Sequence, residues 1–238
     1  MGKGLIILVL LFAAMFAAAA AQWSRMYKSD AGMSSWSGLT VEPEPQDIPL
    51  VRYDDMRPQT TATIGGVSLF AAGTAMTFIP GARRLALNLR DAVQADGHSR
   101  FVVDDCVQYL PAALPPALSL CGLKSRHGFW RMGLLEGGSF LVGAGLLNAG
   151  KYSLCVTRPD GSSDNSFPSG HTFTAFTGAE VLRREYGTEY PWLAVTGYAV
   201  ATMVGAMRIY NNRHWLGDVL AGAGLGILST SLVYWIFD

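Results

Sequence analysis

The chain has 238 residues, equal numbers of basic and acidic side chains and a formal net charge of zero, and half of its residues are hydrophobic. Without a net positive charge there is no electrostatic case for binding nucleic acid, so we expect no nucleic-acid partner. The length is enough for one domain with a full core, and three cysteines, an odd number, do not indicate a disulfide framework.

The N-terminal segment has the composition of a targeting signal. Lys3 precedes an apolar run from Leu5 to Phe16, and the three alanines before Gln22 fit a small-residue cleavage site. We predict a signal peptide over residues 1–21, with an uncleaved anchor as the alternative. Residues 22–60 are polar and contain several prolines, which predicts an extended polar arm.

The remaining residues, 61–238, predict one all-α domain. Six helices are expected, at 61–80, 105–122, 130–149, 171–185, 191–208 and 214–236. A spanning helix needs about 20 mostly apolar residues, which the last stretch provides and the first provides only weakly. We expect five helices to span a membrane and the first to lie on or beside the bundle, with the short basic turns facing the cytoplasm. A soluble or peripherally bound bundle is the alternative.

Three fixed cations in the second half of the chain are suited to holding an oxyanion. Lys151 is followed seven residues later by Arg158, and Arg208 closes the fifth predicted helix. An arginine fork grips two oxygens at once, and a lysine supplies a point charge. These residue types at this spacing predict a binding site for a phosphate group.

A tight turn between these cations adds further donors. Residues 168–171 read Pro-Ser-Gly-His and open the fourth predicted helix. Gly170 lets the backbone approach a ligand closely, and the free N–H groups of a helix start favour an anion. We therefore assign Ser169, as a hydroxyl donor, and Gly170 to phosphate binding.

The catalytic groups are predicted from two histidines and one carboxylate. His214 and Asp218 are four residues apart, which on a helix places them on one face, one turn apart. A carboxylate bonded to one ring nitrogen leaves the other nitrogen free to attack. We predict His214 as the nucleophile, Asp218 as its orienting partner and His171 as the general acid for the leaving oxygen. The sequence shows no metal-ligand cluster, so we expect neither a metal nor another cofactor.

Together these clusters resemble the signature of the type 2 phosphatidic acid phosphatase family, which includes bacterial lipid phosphatases, class A acid phosphatases and vanadium haloperoxidases. The family pattern is Lys-x6-Arg-Pro, Pro-Ser-Gly-His and Ser-Arg-x5-His-x3-Asp. Every position matches apart from Met207, which stands where the family has serine. The resemblance implies a six-helix bundle with the active site at one end, and hydrolysis through a phosphohistidine without a metal.

The expected activity is hydrolysis of a phosphomonoester or diphosphate. An apolar bundle at a bilayer surface meets amphiphiles first, so we expect a lipid substrate: a polyprenyl diphosphate, a phosphatidate-type lipid or a lipid A phosphate. The expected location is the bacterial inner membrane with the site facing the periplasm, or alternatively the periplasm itself. Two other activities stay open. One is that of a periplasmic non-specific acid phosphatase, and the other is that of a vanadate-dependent haloperoxidase, because the same residues would bind vanadate.

Overall fold

The computed structural model describes residues 53–95, 97 and 100–238. In this part of the chain it contains no β-strand and eight helices: α1 Tyr53–Phe78, α2 Pro80–Gln94, α3 Asp104–Val107, α4 Leu110–Leu120, α5 Phe129–Leu154, α6 Gly170–Tyr186, α7 Pro191–Tyr210 and α8 Leu216–Phe237. The predicted all-α class is confirmed for these residues. The predicted signal peptide and most of the predicted polar arm lie outside them, and α1 begins within the last part of that arm.

The functional residues lie at one end of the helical bundle. Helices α1 and α8 run antiparallel, because Gly73 lies against Gly217 near the start of α8 and Gly66 lies against Ile227 further along it. The start of α6 lies beside the start of α8, where the backbone N–H of Ser169 donates to the carbonyl of Asp218 at 3.0 Å. We call this end, at which α1, α5 and α7 finish and α6 and α8 begin, the site end.

The helix count differs from the six that were predicted, for two physical reasons. The stretch 105–122 forms two helices, α3 and α4, separated at Gln108 and Tyr109. Pro111 lacks an N–H and its ring clashes with the carbonyl four residues earlier, so α3 cannot continue through it. Helix α2 was not predicted, because it is amphipathic: Ala86 and Val93 are buried, whereas its opposite face is exposed and polar.

Four helices of the described residues are long and apolar enough to cross a membrane: Gln59–Phe78 within α1, and the whole of α5, α7 and α8. These four candidates differ from the prediction of five spans with the first helix on or beside the bundle. Helix α1 meets the criterion, while α4 has 11 residues and α6 has 17. The chain has the helices of a membrane protein.

Helix α6 contains charged residues although other helices surround it. Most of its side chains are buried, and Glu180 accepts hydrogen bonds from its own neighbours Arg183 and Arg184, each at 2.7 Å. Arg184 also donates to Ser231 of α8 at 3.0 Å. A buried charge is tolerated when it is paired and hydrogen-bonded, as these are. Helix α6 therefore holds the bundle together from inside, and its first residues carry part of the site.

Candidate active site

His214 and Asp218 are brought together by the start of α8. His214 lies in the turn before the helix, and not on it as the four-residue spacing predicted. Asp218 reaches back as a helix cap, accepting from the backbone N–H of Trp215 at 2.9 Å. The same carboxylate oxygen lies 3.5 Å from Nδ1 of His214, and both side chains are almost completely buried. This contact directs Nδ1 toward Asp218 and leaves Nε2 as the nitrogen that can attack.

A serine that the sequence did not predict completes this pair. The buried Ser166 donates a hydrogen bond to Asp218, and its Oγ lies 3.4 Å from Nδ1 of His214. The residue precedes the Pro-Ser-Gly-His turn by two positions, and only its place between two motifs could have drawn attention to it. Asp218 is therefore oriented by a hydroxyl and a backbone amide as well as by the histidine.

The imidazole of His214 is held in its neutral form. Burial lowers its pKa to about 4, and the charges of Arg208 and Lys151 act in the same direction, against the opposing effect of Asp218. A neutral ring keeps a free electron pair on one nitrogen at physiological pH, which a nucleophile requires. The cations that lower this pKa are the ones that the sequence assigned to phosphate binding.

Lys151 and Arg158 are held by one asparagine. Lys151, in the last turn of α5, donates to the backbone carbonyl of Asn165 at 2.6 Å. Arg158 donates through Nε to the side-chain carbonyl of the same residue at 3.1 Å. Burial lowers the pKa of Arg158, and the charges of Arg213 and Arg208 lower it further. The cations thus repel one another, which an anion bound between them would relieve.

Arg208 enters the site from the end of α7 and is paired with two acidic residues of α3. Its Nη1 donates to Asp104 at 2.6 Å and lies 3.4 Å from Asp105. Asp104 is buried and also accepts from Asn211 at 3.1 Å. The Nε of Arg208 is buried and has no hydrogen-bond partner among the described residues. A buried donor without an acceptor costs stability unless a ligand satisfies it.

The predicted turn at the start of α6 lies at the same end. Ser169 is buried and accepts from Thr172 at 3.1 Å, so its own hydroxyl hydrogen stays available to a ligand. Gly170 is the first residue of α6, and His171 follows it with Nε2 2.8 Å from the Asp105 carboxylate. Burial and the charge of Arg208 lower the pKa of His171, while Asp105 raises it.

Two loops that carry site residues are joined by one carboxylate. Asp160, two positions after Arg158, accepts from Arg213 at 3.1 Å and from Arg100 at 3.0 Å. Although burial raises the pKa of Asp160, hydrogen bonds from Ser162 and Arg213 bring it to about 2. This carboxylate stays ionised at physiological pH and fixes the loop of Arg158 against the residue that precedes His214.

Among the described residues, one group could hold a cation: Asp104, Asp105 and His171, whose ligand atoms lie within 4.8 Å of one another. Both carboxylate oxygens of Asp104 already accept hydrogen bonds, from Arg208 and Asn211, and Oδ1 of Asp105 contacts His171. A guanidinium is therefore the counter-ion of this acidic pair. The arrangement as a whole surrounds a buried neutral histidine with three cations, a helix start and a second histidine, which suits a tetrahedral oxyanion.

Comparison with known proteins agrees with this geometry. Residues 135–238 match the family model of the PAP2 superfamily. A lipid A 1-phosphatase of Porphyromonas gingivalis is 46% identical over 138 residues, which are 57% of this chain and 31% of that protein. An undecaprenyl-diphosphatase of Sulfolobus acidocaldarius is 32% identical over 99 residues, 37% of this chain and 47% of that protein. The chain thus spans between about a third and a half of the length of these relatives.

The fold also matches a solved structure. A transmembrane PAP2-type phosphatidylglycerolphosphate phosphatase from Bacillus subtilis superimposes with a TM-score of 0.52 at 22% identity, covering 75% of this chain and 94% of that one. The match supports the helical architecture. The segment that matches the PAP2 superfamily, residues 135–238, contains the predicted site residues of α5, α6, α7 and α8 and the loops between them, whereas the acidic residues of α3 lie before it.

Proposed function

We propose that this protein is a metal-independent phosphatase that hydrolyses a lipid phosphomonoester or diphosphate through a phosphohistidine on His214. The observation that carries this proposal is the cation cluster (Lys151, Arg158 and Arg208) around a buried neutral histidine. Within the described residues Lys151 and Arg158 have no carboxylate at salt-bridge distance, and Arg208 keeps one buried N–H free. A phosphate would supply acceptors to all three cations.

The first half of the proposed reaction transfers the phosphoryl group to the enzyme. Phosphate oxygens bind the cation cluster, the Ser169 hydroxyl and the N–H groups around Gly170. Nε2 of His214 attacks phosphorus in line and forms a P–N bond as the P–O bond to the leaving group breaks. His171 gives its proton to the leaving oxygen. Such a transfer is mostly positioning and charge stabilisation, which fixed cations supply without reorganisation.

The second half releases phosphate. His171, now neutral, takes a proton from a water molecule as its oxygen attacks phosphorus. The P–N bond breaks, His214 is neutral again, and inorganic phosphate leaves. Asp218 keeps the same tautomer of His214 through both halves, because its carboxylate fixes the proton on Nδ1.

A lipid substrate is supported by the position of the site. The site end is formed by the ends of helices that are long and apolar enough to span a bilayer. A phosphate bound there lies at the depth of lipid headgroups, while the attached chains stay in the apolar layer. The names of the two curated relatives, which are lipid A and undecaprenyl phosphatases, point to the same substrate class.

We propose further that the site faces the periplasm. Since α1 is a candidate span that finishes at the site end, residue 53 must then lie on the cytoplasmic side. A cleaved signal peptide would leave residues 22–52 outside the cell and would reverse this arrangement. An uncleaved anchor with Lys3 in the cytoplasm would place residues 22–52 on the same outer side. The proposed orientation therefore requires the first apolar segment either not to cross the membrane or to cross it with its N-terminus outside.

Phosphate release by the purified protein in detergent, in excess chelator, tests the function. The substrates are a lipid phosphate, a lipid diphosphate and a small aryl phosphate. We expect turnover without metal, a preference for the lipids, and an acid-labile phosphohistidine in quenched reactions. His214→Ala should lose turnover and the phosphohistidine while still binding vanadate, which shows that the fold is intact.

Each contrary result has a defined meaning. Robust turnover by His214→Ala would remove His214 as the nucleophile. Loss of activity with chelator, restored by magnesium, would refute the metal-independent mechanism. Equal or faster turnover of the aryl phosphate would favour a non-specific acid phosphatase, and halide oxidation with peroxide and vanadate would favour a haloperoxidase.

A further inference from the structure

Asp105 contacts two groups of the site although it lies outside the matched family segment. It belongs to α3, whereas the family model begins at residue 135. Its Oδ1 lies 2.8 Å from Nε2 of His171 and 3.4 Å from Nη1 of Arg208. The side chain is 58% exposed, so it is not a structural member of the core. An exposed carboxylate that contacts a site histidine and a site arginine is suited to a role in the chemistry.

The neighbouring acidic residue has a different position. Asp104 is almost completely buried and is bound by Arg208 and Asn211 at 2.6 and 3.1 Å. It fixes the arginine to α3 as part of the fold. Only Asp105 reaches the histidine directly, at a distance typical of a charge-assisted hydrogen bond.

We propose that Asp105 is the positioning partner of the general acid, holding His171 protonated and directing its Nδ1 toward the leaving oxygen. The proposal rests on the proposed phosphatase function. The carboxylate accepts the Nε2 hydrogen and stays ionised through both steps. The Nδ1 proton passes to the leaving oxygen as its bond to phosphorus breaks, and a proton from the attacking water returns to Nδ1.

The groups facing His171 explain why it needs this partner. Arg208, from α7, disfavours a positive imidazolium, and burial acts in the same direction. Asp105 and Asp104, both from α3, oppose these effects. Without Asp105 the ring would lie beside a guanidinium with only a buried, already paired carboxylate to offset it. The site would then have two neutral histidines and no acid.

The test compares leaving groups that differ in their need for a proton. An alkyl or lipid alkoxide must be protonated as it leaves, whereas a nitrophenolate leaves without one. We expect Asp105→Asn to lower kcat for an alkyl or lipid phosphate by on the order of tenfold or more, and to change kcat for p-nitrophenyl phosphate by less than about threefold. The alkaline limb of the kcat/KM profile should move to lower pH. Asp105→Glu should restore much of the loss.

A matched control removes the same charge from the same end of the bundle. Asp164 is exposed, in the loop between α5 and α6. Asp164→Asn should leave the leaving-group dependence and the pH profile unchanged, which separates the contact with His171 from a general change of charge. Equal unfolding temperatures of the two variants in detergent would show that neither loss comes from misfolding.

Three results would overturn the proposal. One is equal loss for alkyl and aryl phosphates. Another is an unchanged alkaline limb. The third is a lower KM and tighter vanadate binding with unchanged kcat, which would mean that Asp105 merely competes with the substrate for His171 and Arg208. None of these results would contradict the proposed phosphatase function, which is tested separately by the turnover of the wild-type protein and of His214→Ala.

Discussion

At the residue scale, the two histidines of the site must carry opposite charges for the proposed reaction. His214 has to be neutral to attack, and burial lowers its pKa to about 4. His171 has to be protonated to act as an acid, and burial together with Arg208 lowers its pKa from the usual value of about 6.5. The active form of the free enzyme therefore exists at a pH above the pKa of His214 and below the lowered pKa of His171.

The resulting prediction concerns the pH dependence of kcat/KM. With increasing pH, kcat/KM should rise through about pH 4, where His214 loses its proton. It should fall again before the pH reaches about 6.5, as His171 loses its own proton. The measurement uses a short-chain soluble phosphate in detergent, so that the substrate does not change its phase with pH. An alkaline limb above pH 7 would contradict the assignment of His171 as the acid.

The second prediction concerns the stability and activity of variants of the Arg208–Asp104 pair, because the arginine has both a structural and a proposed functional role. Arg208→Ala leaves Asp104 buried without its cation, which should cost about 3–5 kcal/mol. Asp104→Asn in the same background removes the uncompensated charge and should recover part of this stability without recovering activity. Thermal unfolding in detergent measures the effect.

Arg158→Ala is the matched control, since it removes the same charge from a partly exposed position. It should lose activity with little change in unfolding temperature. If Arg208→Ala were as stable as Arg158→Ala, the buried pair would have no structural role.

Sequence reasoning proposed the residues of the candidate site but not the residues that hold them in place. All eight predicted site residues lie at the site end, since each motif falls at a helix end there. Asn165, Ser166 and Asp105 were missed, because their roles depend on contacts with distant residues that no spacing shows. Ser166 meets His214 across 48 positions, and Asp105 meets His171 across 66.

At the scale of the elements, the packing of α1 on α8 depends on glycines that leave no room for a side chain. A Cβ on Gly73 would lie 2.4 Å from the backbone nitrogen of Ala221 and 2.5 Å from the carbonyl oxygen of Gly217. The two backbones touch directly, as in membrane helix pairs with small residues at the interface. The first part of α1 also has Gly65, where a Cβ would meet nothing within 4 Å.

These two glycines give a third prediction with an internal control. Gly73→Ala should destabilise the bundle by about 1–3 kcal/mol, because backbone atoms cannot move aside as a flexible side chain can. Gly65→Ala on the same helix should be neutral or slightly stabilising, because alanine favours a helix and meets open space. Unfolding temperatures in detergent distinguish the two, and equal effects would mean that α1 does not pack on α8 as described.

Element boundaries show where sequence patterns fail. The four longest apolar stretches were found because apolar residues fill them on all sides. Pro111 divides the predicted helix 105–122, because a proline interrupts the interior of a helix. The prediction gave the apolar run more weight than this local rule. Helix α2 was missed because half of its surface is polar. Yet Arg90 of α2 donates to Asn212 at 3.2 Å and so supports the turn that carries His214.

At the scale of the whole molecule, the charged side chains at the two ends of the bundle differ in whether they are paired. At the end away from the site, His127 lies 2.9 Å from Glu185, which also accepts from Tyr234 at 2.7 Å, and Arg126 pairs with Asp238 at 3.1 Å. Those charges satisfy one another. At the site end, Lys151 and Arg158 have no carboxylate at salt-bridge distance within the described residues, so these two cations indicate a ligand and not a structural network.

The orientation of this charged end in the membrane gives the last prediction, and the three cysteines of the chain can report it. All three are exposed. Cys155 follows α5 at the site end, whereas Cys121 follows α4 near the other end, where Arg126 N–H bonds the Glu185 carbonyl at the end of α6. Variants that keep one of these cysteines, with the other two changed to serine, place a single thiol on each side. If the site faces the periplasm, a membrane-impermeant maleimide should label Cys155 in intact spheroplasts and Cys121 only after lysis. The reverse pattern would place the site in the cytoplasm and would fit a cleaved signal peptide, because a mature chain that starts outside and crosses once through α1 brings its site end inside.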